Sequence, residues 1–156
     1  MRDIYILGAG PYAKKIYACA ISLGLTVRAF IVESSQVCPP VPDCMLVEEN
    51  EFNLKEPECF LFIAVGEAKK REYLMNVYRS KEWIIPTLIH PNSIVSNNAD
   101  INEGTFVGPG CIIESDCVVG RGCIIDIGVL IDHDCNVPPF SHLKSASLYS
   151  HKDFAQ

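Results

Sequence analysis

The fold is decided by residues 95–147, which divide into nine hexapeptides: VSNNAD, INEGTF, VGPGCI, IESDCV, VGRGCI, IDIGVL, IDHDCN, VPPFSH and LKSAS, the last one residue short. An aliphatic residue opens each of them, and the fifth place holds a small residue. The fourth place of the first seven holds glycine, aspartate or asparagine, which tolerate a turn with positive φ. A period of six fits neither an α-helix nor a long strand of period two.

This period is typical of short strands joined by tight corners, with each aliphatic residue pointing into the axis of a parallel β-helix. Three hexapeptides close one triangular coil, so the nine predict about three coils that bury the aliphatic column as a continuous core. A β-sandwich of short strands is the alternative, but it predicts irregular spacing.

Composition narrows the class of protein. The chain has 156 residues, 49% of them hydrophobic, and a net charge of -6, which argues against a nucleic-acid partner. With no signal peptide and no apolar run of membrane length, we expect a cytoplasmic protein without a membrane partner. Four of the eight cysteines occupy the small position of the repeat, and no C-x-x-C occurs, so we interpret them as packing residues and expect no metal.

The N-terminal sequence predicts a βαβ unit. A strand from Asp3 runs into the turn Gly8-Ala9-Gly10, a helix follows from Pro11 to Leu23, and a second strand ends at Glu33. The turn matches G-x-G-x-x-A, in which backbone donors receive a phosphate while the acidic residue takes a sugar or base hydroxyl. The alternative is that the glycines only permit a tight turn. Pro11 removes one donor; Lys14 and Lys15 can pair with a phosphate, although we expect at least one of them to lie on a solvated helix face.

A further strand and a further helix complete this region. The apolar run Cys59–Gly66 predicts a buried strand and residues 67–80 a helix, with a possible short strand at Met45–Val47 before them. Because the carboxyl ends of neighbouring parallel strands meet at one edge of the sheet, we expect Val65, Gly66 and Glu67 to line the crevice beside the first glycine turn. Residues 83–91 read as a linker to the β-helix.

Four motifs together carry a resemblance: Gly8-Ala9-Gly10, FIAVG at 62–66, PTLIHP at 86–91 and IDHDC at 131–135. The chain resembles, over nearly its whole length, the sialic acid O-acetyltransferase and nucleotide-amino-sugar N-acetyltransferase family, the NeuD/PglD type of hexapeptide acyltransferase. The resemblance implies a Rossmann-like domain over residues 1–85 that holds a UDP-linked sugar. It also implies a left-handed β-helix over residues 86–156, a homotrimer, and acetyl-CoA bound between subunits, in bacterial surface-glycan synthesis.

The resemblance also implies the site residues. His133 matches the catalytic histidine, Asp134 the acidic residue after it, and His142 a histidine that contacts the acetyl donor. A histidine can take the proton of an attacking amine or hydroxyl near neutral pH, and an acidic neighbour fixes its tautomer. His142 or a backbone N–H can stabilise the charge on the thioester oxygen. The nucleotide side is expected to comprise Gly8, Gly10, Pro11, Tyr12, Glu33, Val65, Gly66 and Glu67.

The chain also departs from the family pattern. Pro138-Pro139 replaces a glycine-containing corner, the repeat fades after Ser147, and the β-helix is expected to be shorter than usual. Gly10-Pro11-Tyr12 stands where glycine-glycine-histidine is common. Two alternatives therefore remain open: a catalytically incompetent nucleotide-sugar-binding or trimeric assembly protein, and a nicotinamide-dependent oxidoreductase. Cys135, beside His133, is interpreted as an inward packing residue and not as a nucleophile.

Overall fold

The computed structural model describes residues 3–34, 38–52 and 59–154. The chain divides into two compact units, Met1–Pro86 and Thr87–Gln156.

The first unit is a Rossmann-like α/β structure built on a parallel sheet. Its strands are β1 (Asp3–Leu7), β2 (Thr26–Val32), β3 (Leu46–Glu48) and β4 (Phe60–Ile63), and its helices are α1 (Pro11–Ser22) and α2 (Ala68–Ser80). The strands lie in the order β3-β2-β1-β4, with Ile6 opposite Phe30 and Phe62. These three side chains are fully buried, as expected for parallel strands covered on both faces.

Helix α1 begins and ends as the sequence predicts. Pro11 occupies the first helical position, where its missing N–H costs nothing. At the other end Gly24 takes φ 73°, and the Leu25 N–H donates to the Ala20 carbonyl, which is the Schellman arrangement of a helix C-terminus. The buried face consists of Ala13, Ile16, Cys19 and Ala20.

Residues 83–91 do not form the separate linker that the sequence predicts. Ile84 forms a parallel bridge with Phe60 at the edge of the first sheet, and the Leu61 N–H donates to its carbonyl. Trp83 is buried, with its ring centroid 5.2 Å from that of Phe52 and 6.0 Å from that of Tyr5. Trp83 and Ile84 therefore belong to the first unit, whereas Leu88 and Ile89 form the first strand of the β-helix.

The second unit is a left-handed parallel β-helix of two-residue strands. They are β5 (Leu88–Ile89), β6 (Ile94–Val95), β7 (Asp100–Ile101), β8 (Phe106–Val107), β9 (Ile112–Ile113), β10 (Val118–Val119), β11 (Ile124–Ile125), β12 (Leu130–Ile131), β13 (Asn136–Val137), β14 (His142–Leu143) and β15 (Leu148–Tyr149). Each strand pairs in parallel with the strand three places along, which gives three sheets. The prediction of about three coils is confirmed.

The column of inward aliphatic residues forms the core. Those from Val107 to Leu143 are buried, whereas Val95 and Ile101 in the first coil are partly buried. The column is longer than predicted, because Ile89 precedes it and Tyr149 follows it. The repeat continues for one strand beyond Ser147, because β15 pairs with β12, and it then ends in a short 3-10 helix at His151–Asp153, so the expected fading occurs one strand later.

The corners follow the predicted turn chemistry with two differences. Six of the seven predicted positions have positive φ, but Asn98 does not. Phe140 at φ 60° and Ala146 at φ 55° extend the same positions into the last coils although neither residue favours this conformation. The stacked coils thus impose the corner on residues that would not choose it locally.

The Pro138-Pro139 corner depends on the residue stacked against it. A Cβ atom on Gly120 would lie 2.5 Å from the Pro139 nitrogen and 2.7 Å from its Cα. Glycine at position 120 therefore provides the space that the proline backbone occupies in the next coil.

The small position of the repeat does more than pack. The Cys111 thiol donates to the Asp126 carbonyl at 2.9 Å, the Cys117 thiol to Asp132 at 3.1 Å and the Cys123 thiol to Pro138 at 3.2 Å. The Thr105 hydroxyl makes the same bond to Gly120 at 2.9 Å. Cysteine and threonine are therefore small residues that also satisfy a carbonyl at the corner of the next coil. All eight cysteines are free.

Two findings concern the described part of the chain as a whole. Neither of its α-helices is long and apolar enough to cross a membrane. No group of three or more histidine, cysteine or acidic side chains in it is arranged to hold a metal ion.

Candidate active site

The first unit contains a cavity of about 380 Å³ at the carboxyl edge of its sheet. Its wall combines the turn after β1, the end of β2, the end of β4 and side chains from α2 and the segment after β3. Ligands of open α/β sheets bind at this edge. The lining residues are Leu7, Gly8, Ala9, Gly10, Ile31, Val32, Glu33, Glu49, Ala64, Val65, Gly66, Lys70 and Leu74.

The structure brings five of the residues predicted for this site into one wall: Gly8, Gly10, Glu33, Val65 and Gly66. The other three, Pro11, Tyr12 and Glu67, are not among the lining residues. Pro11 starts α1, and Glu67 is the residue that precedes the first turn of α2.

The two glycines of the turn have different roles. Gly8 has φ 114°, and a Cβ atom there would lie 2.7 Å from the Ala64 oxygen, so the fold itself requires glycine. Gly10 has an ordinary φ of -75°, and a Cβ atom there would meet nothing within 4 Å. The absence of a side chain at Gly10 therefore leaves space at the cavity instead of relieving backbone strain.

Arg71 fixes the loop between β4 and α2, whose residues Val65 and Gly66 line the cavity. This arginine is fully buried, and its Nη1 donates to the carbonyls of Val65 at 2.9 Å and Gly66 at 2.7 Å. A charged donor makes such bonds strong, so the loop between β4 and α2 is held in one conformation. Sequence reasoning missed this residue, because an arginine in a charged helix is ordinarily solvated.

The two acidic side chains at the cavity, Glu33 and Glu49, are each paired with a side chain of α2. Lys70 on α2 bonds to Glu33 after β2, and this contact lowers the pKa of Glu33 and raises that of Lys70. The Tyr78 hydroxyl donates to Glu49 at 2.8 Å, and burial, followed by this bond, raises the pKa of Tyr78 well above its usual range. Lys14 and Lys15, the cations that the sequence suggested, do not line the cavity.

In the second unit, His133 lies at the corner between β12 and β13. Its Nδ1 is 2.6 Å from Asp134 Oδ2, and its backbone N–H donates to Asp132 Oδ1 at 2.9 Å. The bond to Asp134, followed by the charge of Asp132, raises the pKa of His133. Its side chain is 61% exposed, so the imidazole is open to a substrate.

The geometry assigns the tautomer of His133. Nδ1 faces a carboxylate and therefore carries the proton, which leaves the lone pair on Nε2. Nε2 lies 3.9 Å from Asp132 Oδ1, too far for a hydrogen bond. This arrangement suits a general base that takes a proton at Nε2 while Asp134 stabilises the resulting imidazolium.

His142 on β14 lies in a different environment. Its Nε2 is 3.6 Å from Asp126 Oδ2, and its Nδ1 is 3.3 Å from the Lys144 ammonium group. Asp126 is only 7% exposed, and its Oδ1 accepts the Ile127 N–H at 3.0 Å. Sequence reasoning missed Asp126, since the stacking of β11 on β14 brings it to His142 from the adjacent coil.

Cys135, two residues after His133, packs into the interior of the β-helix. Its side chain is buried, and burial raises the pKa of its thiol to about 11. A thiol with so high a pKa is not a nucleophile near neutral pH.

One outward face of the β-helix carries an apolar stripe. Ile94, Ile112, Leu130 and Leu148 lie in register across the sheet β6-β9-β12-β15. Ile94 is 65% exposed and Leu148 69%. On the sheet β7-β10-β13, by contrast, the equivalent residues are Asp100, Val118 and Asn136. A row of large aliphatic side chains, in which Ile112 is half-buried and the other three are exposed, is typical of an interaction surface.

Comparisons with known proteins identify solved structures that share this combination of a Rossmann-like unit and a left-handed β-helix. No family model and no curated protein matches the chain. Among solved structures, the fold is that of hexapeptide-repeat sugar acetyltransferases.

Three such structures illustrate the similarity. PerB from Caulobacter crescentus, in complex with CoA and GDP-perosamine, has a TM-score of 0.86 and 29% identity over 95% of this chain and 71% of its own. The acetyltransferase domain of PglB from Neisseria gonorrhoeae, in complex with acetyl coenzyme A, has a TM-score of 0.83 and 25% identity, covering 90% and 69%. WeeI from Acinetobacter baumannii, with a TM-score of 0.84 and 16% identity over 96% and 73%, shares the fold.

Proposed function

We propose that this protein is an acetyl-CoA-dependent acetyltransferase that acts on an amino or hydroxyl group of a nucleotide-linked sugar, with His133 as general base. The observation that carries the proposal is the pairing of His133 with Asp134 at an exposed corner of the β-helix. The likeness to PerB, which was solved with CoA and GDP-perosamine, supports it. In this proposal the first unit binds the nucleotide and the second unit transfers the acetyl group.

The reaction needs one base and one stabilised oxyanion. The acceptor nitrogen or oxygen attacks the thioester carbonyl, and Nε2 of His133 takes its proton. The new C–N or C–O bond forms, the C–S bond breaks, and the proton passes from the imidazolium to the departing CoA sulfur. Asp134 stabilises the imidazolium between these two steps. His142 is proposed to face the acetyl donor, with Asp126 and Lys144 directing its ring.

The first unit is proposed to bind the nucleotide. Its cavity of about 380 Å³ is large enough for part of a nucleotide. Glu33 after β2 can accept a hydrogen bond from a hydroxyl group or from a ring N–H. Gly10 leaves the backbone accessible to the ligand. The base can be uracil, as the sequence resemblance implies, or guanine, as in the ligand of PerB.

We also propose that the protein is a homotrimer that associates through the β-helix. The apolar stripe of Ile94, Ile112, Leu130 and Leu148 supports this, since a monomer would leave these side chains in water. His133 follows Leu130 by one short turn, so a neighbouring subunit packed on the stripe would border the corner that holds the base. The acetyl-CoA site between subunits, bacterial surface-glycan synthesis and the predicted cytoplasmic location remain parts of this proposal.

The test is an acetyl-transfer assay with a panel of nucleotide-linked amino and deoxyamino sugars. Purified protein is mixed with acetyl-CoA and each sugar, and the release of free CoA thiol is followed. The proposal expects release that requires both the sugar and His133. If no sugar stimulates release above the rate of acetyl-CoA hydrolysis, and none is acetylated by mass spectrometry, the proposal is contradicted.

A further inference from the structure

We propose that Lys70 binds the phosphate groups of the nucleotide in the cavity of the first unit, and that Glu33 holds Lys70 in position for it. This inference rests on the proposed function, because it names the residue that recognises the diphosphate of the nucleotide-linked substrate.

The charge of the cavity wall is the first argument. Among the described residues that line the cavity, Glu33 and Glu49 are acidic and Lys70 is the sole cation. A diphosphate carries at least two negative charges and would be repelled by the two carboxylates. Binding of such a ligand therefore requires a cation at this wall, and Lys70 provides it.

The glycine turn supplies fewer backbone donors than such turns usually do. Pro11, at the first helical position of α1, has no N–H. The Ala13 N–H already donates to the Gly10 carbonyl at 2.9 Å. A phosphate at this helix would normally be received by free N–H groups of the first turn. Their shortage makes a side-chain cation elsewhere in the lining of the cavity more important.

The position of Lys70 suits this role. It lies in the first turn of α2, and its ammonium group bonds to Glu33 at the end of β2, so the side chain is directed across the carboxyl edge of the sheet. Both side chains are substantially exposed, at 45% for Lys70 and 74% for Glu33. Exposed ion pairs are only weakly stabilising. A phosphate group that enters the cavity can therefore bind Lys70 beside Glu33, or in its place, at little cost in free energy.

The experiment measures the affinity of UDP and of GDP by calorimetric titration. Lys70→Met keeps the aliphatic stem and removes the charge, and it is expected to weaken the better ligand by about 10- to 100-fold, as for other hydrogen bonds to charged groups. Lys70→Arg keeps the charge and should retain most of the affinity. Lys69→Met is the matched control, because Lys69 is the exposed neighbour on the same helix and does not line the cavity.

The outcomes separate this inference from the proposed function. The role of Lys70 is supported if the affinity for the nucleotide falls in Lys70→Met, is retained in Lys70→Arg and does not change in Lys69→Met. Unchanged affinity in Lys70→Met, or equal losses in the Met and Arg variants, overturn it while leaving nucleotide binding intact. If the unmodified protein binds neither UDP nor GDP at millimolar concentration, the nucleotide part of the proposed function fails, and this inference fails with it.

Discussion

Nδ1 of His133 lies 2.6 Å from Oδ2 of Asp134 at an exposed corner of the β-helix. The carboxylate stabilises the protonated ring and raises the pKa of His133. A general base works only in its neutral form, so the acid limb of kcat/KM should lie at a higher pH than for an ordinary histidine.

Replacing Asp134 tests this relationship. Asp134→Asn removes the first cause of the shift, and asparagine tolerates the φ of 57° at this position. The pKa of His133 should fall, and the acid limb should move to lower pH, while the limiting rate decreases because the imidazolium loses its stabilising charge. The measurement is the pH profile of both proteins, with an NMR titration of the His133 ring. Coinciding titration curves would show that Asp134 does not control His133.

The histidine itself is the second target. His133→Ala should lower acetyl transfer by roughly a hundredfold or more, since a positioned base contributes at least that factor. Folding should be unaffected, because the side chain is 61% exposed. His151→Gln is the control, as His151 is exposed in a short 3-10 helix after β15. Steady-state kinetics of both variants decide the matter, and normal turnover in His133→Ala would exclude it as the base.

The apolar stripe predicts how subunits associate. Leu130→Glu places a charge in the middle of the stripe and should convert a trimer into monomers. Val118→Glu is the matched control, because Val118 is exposed to nearly the same extent, 43% against 40%, but lies on the sheet where its outward neighbours, Asp100 and Asn136, are polar. Sedimentation velocity measures both. A monomeric parent protein, or a trimer that survives Leu130→Glu, would contradict the assignment of this face.

The contact between Gly120 and Pro139 predicts a stability effect. Gly120→Ala introduces a Cβ atom 2.5 Å from the Pro139 nitrogen, and the stacked backbone cannot move without disturbing the corner. We expect a loss of about 1–3 kcal/mol in the free energy of unfolding, the usual range for overpacking. Gly66→Ala, whose Cβ meets nothing within 4 Å, should change it little. Urea unfolding followed by circular dichroism compares the two, and equal midpoints would refute the steric argument.

The cysteines should differ sharply in reactivity. Cys38 is exposed, whereas Cys111, Cys117, Cys123 and Cys135 are buried, and burial raises the pKa of Cys111, Cys117 and Cys135. A thiol reagent at neutral pH should modify Cys38 quickly and the four β-helix thiols only after unfolding. Mass spectrometry of the modified peptides gives the order. Rapid modification of any of the four in the folded protein would show that the core opens more readily than this packing implies.

The sequence predicts the β-helix well because each hexapeptide repeats the same local chemistry, so the core from Val107 to Leu143 could be read directly. The ends of the repeat were harder to predict. Phe140 and Ala146 adopt corner conformations that their own preferences oppose, and Tyr149 extends the column only because β12 offers a partner strand. These features depend on stacking between coils, which no single hexapeptide reveals.

The sequence predicted those parts of the candidate site that follow from local patterns, and it missed those that depend on contacts between distant elements. The glycine turn, Glu33 and the end of β4 follow from the rule that the carboxyl ends of parallel strands meet. Lys70, Arg71 and Asp126 act on residues in other elements or coils, and nothing in their immediate neighbours distinguishes them from solvated charges. His133 is proposed as the base mainly because its motif resembles that of a family, since an outward histidine at a corner is only a weak signal by itself.

The central claim is that this protein binds an acetyl donor, and calorimetric titration with acetyl-CoA tests it most directly because no acceptor sugar has to be chosen. We predict saturable binding in the micromolar range. No heat of binding at millimolar acetyl-CoA would contradict the account and would favour a protein that binds nucleotide-linked sugars without acetylating them.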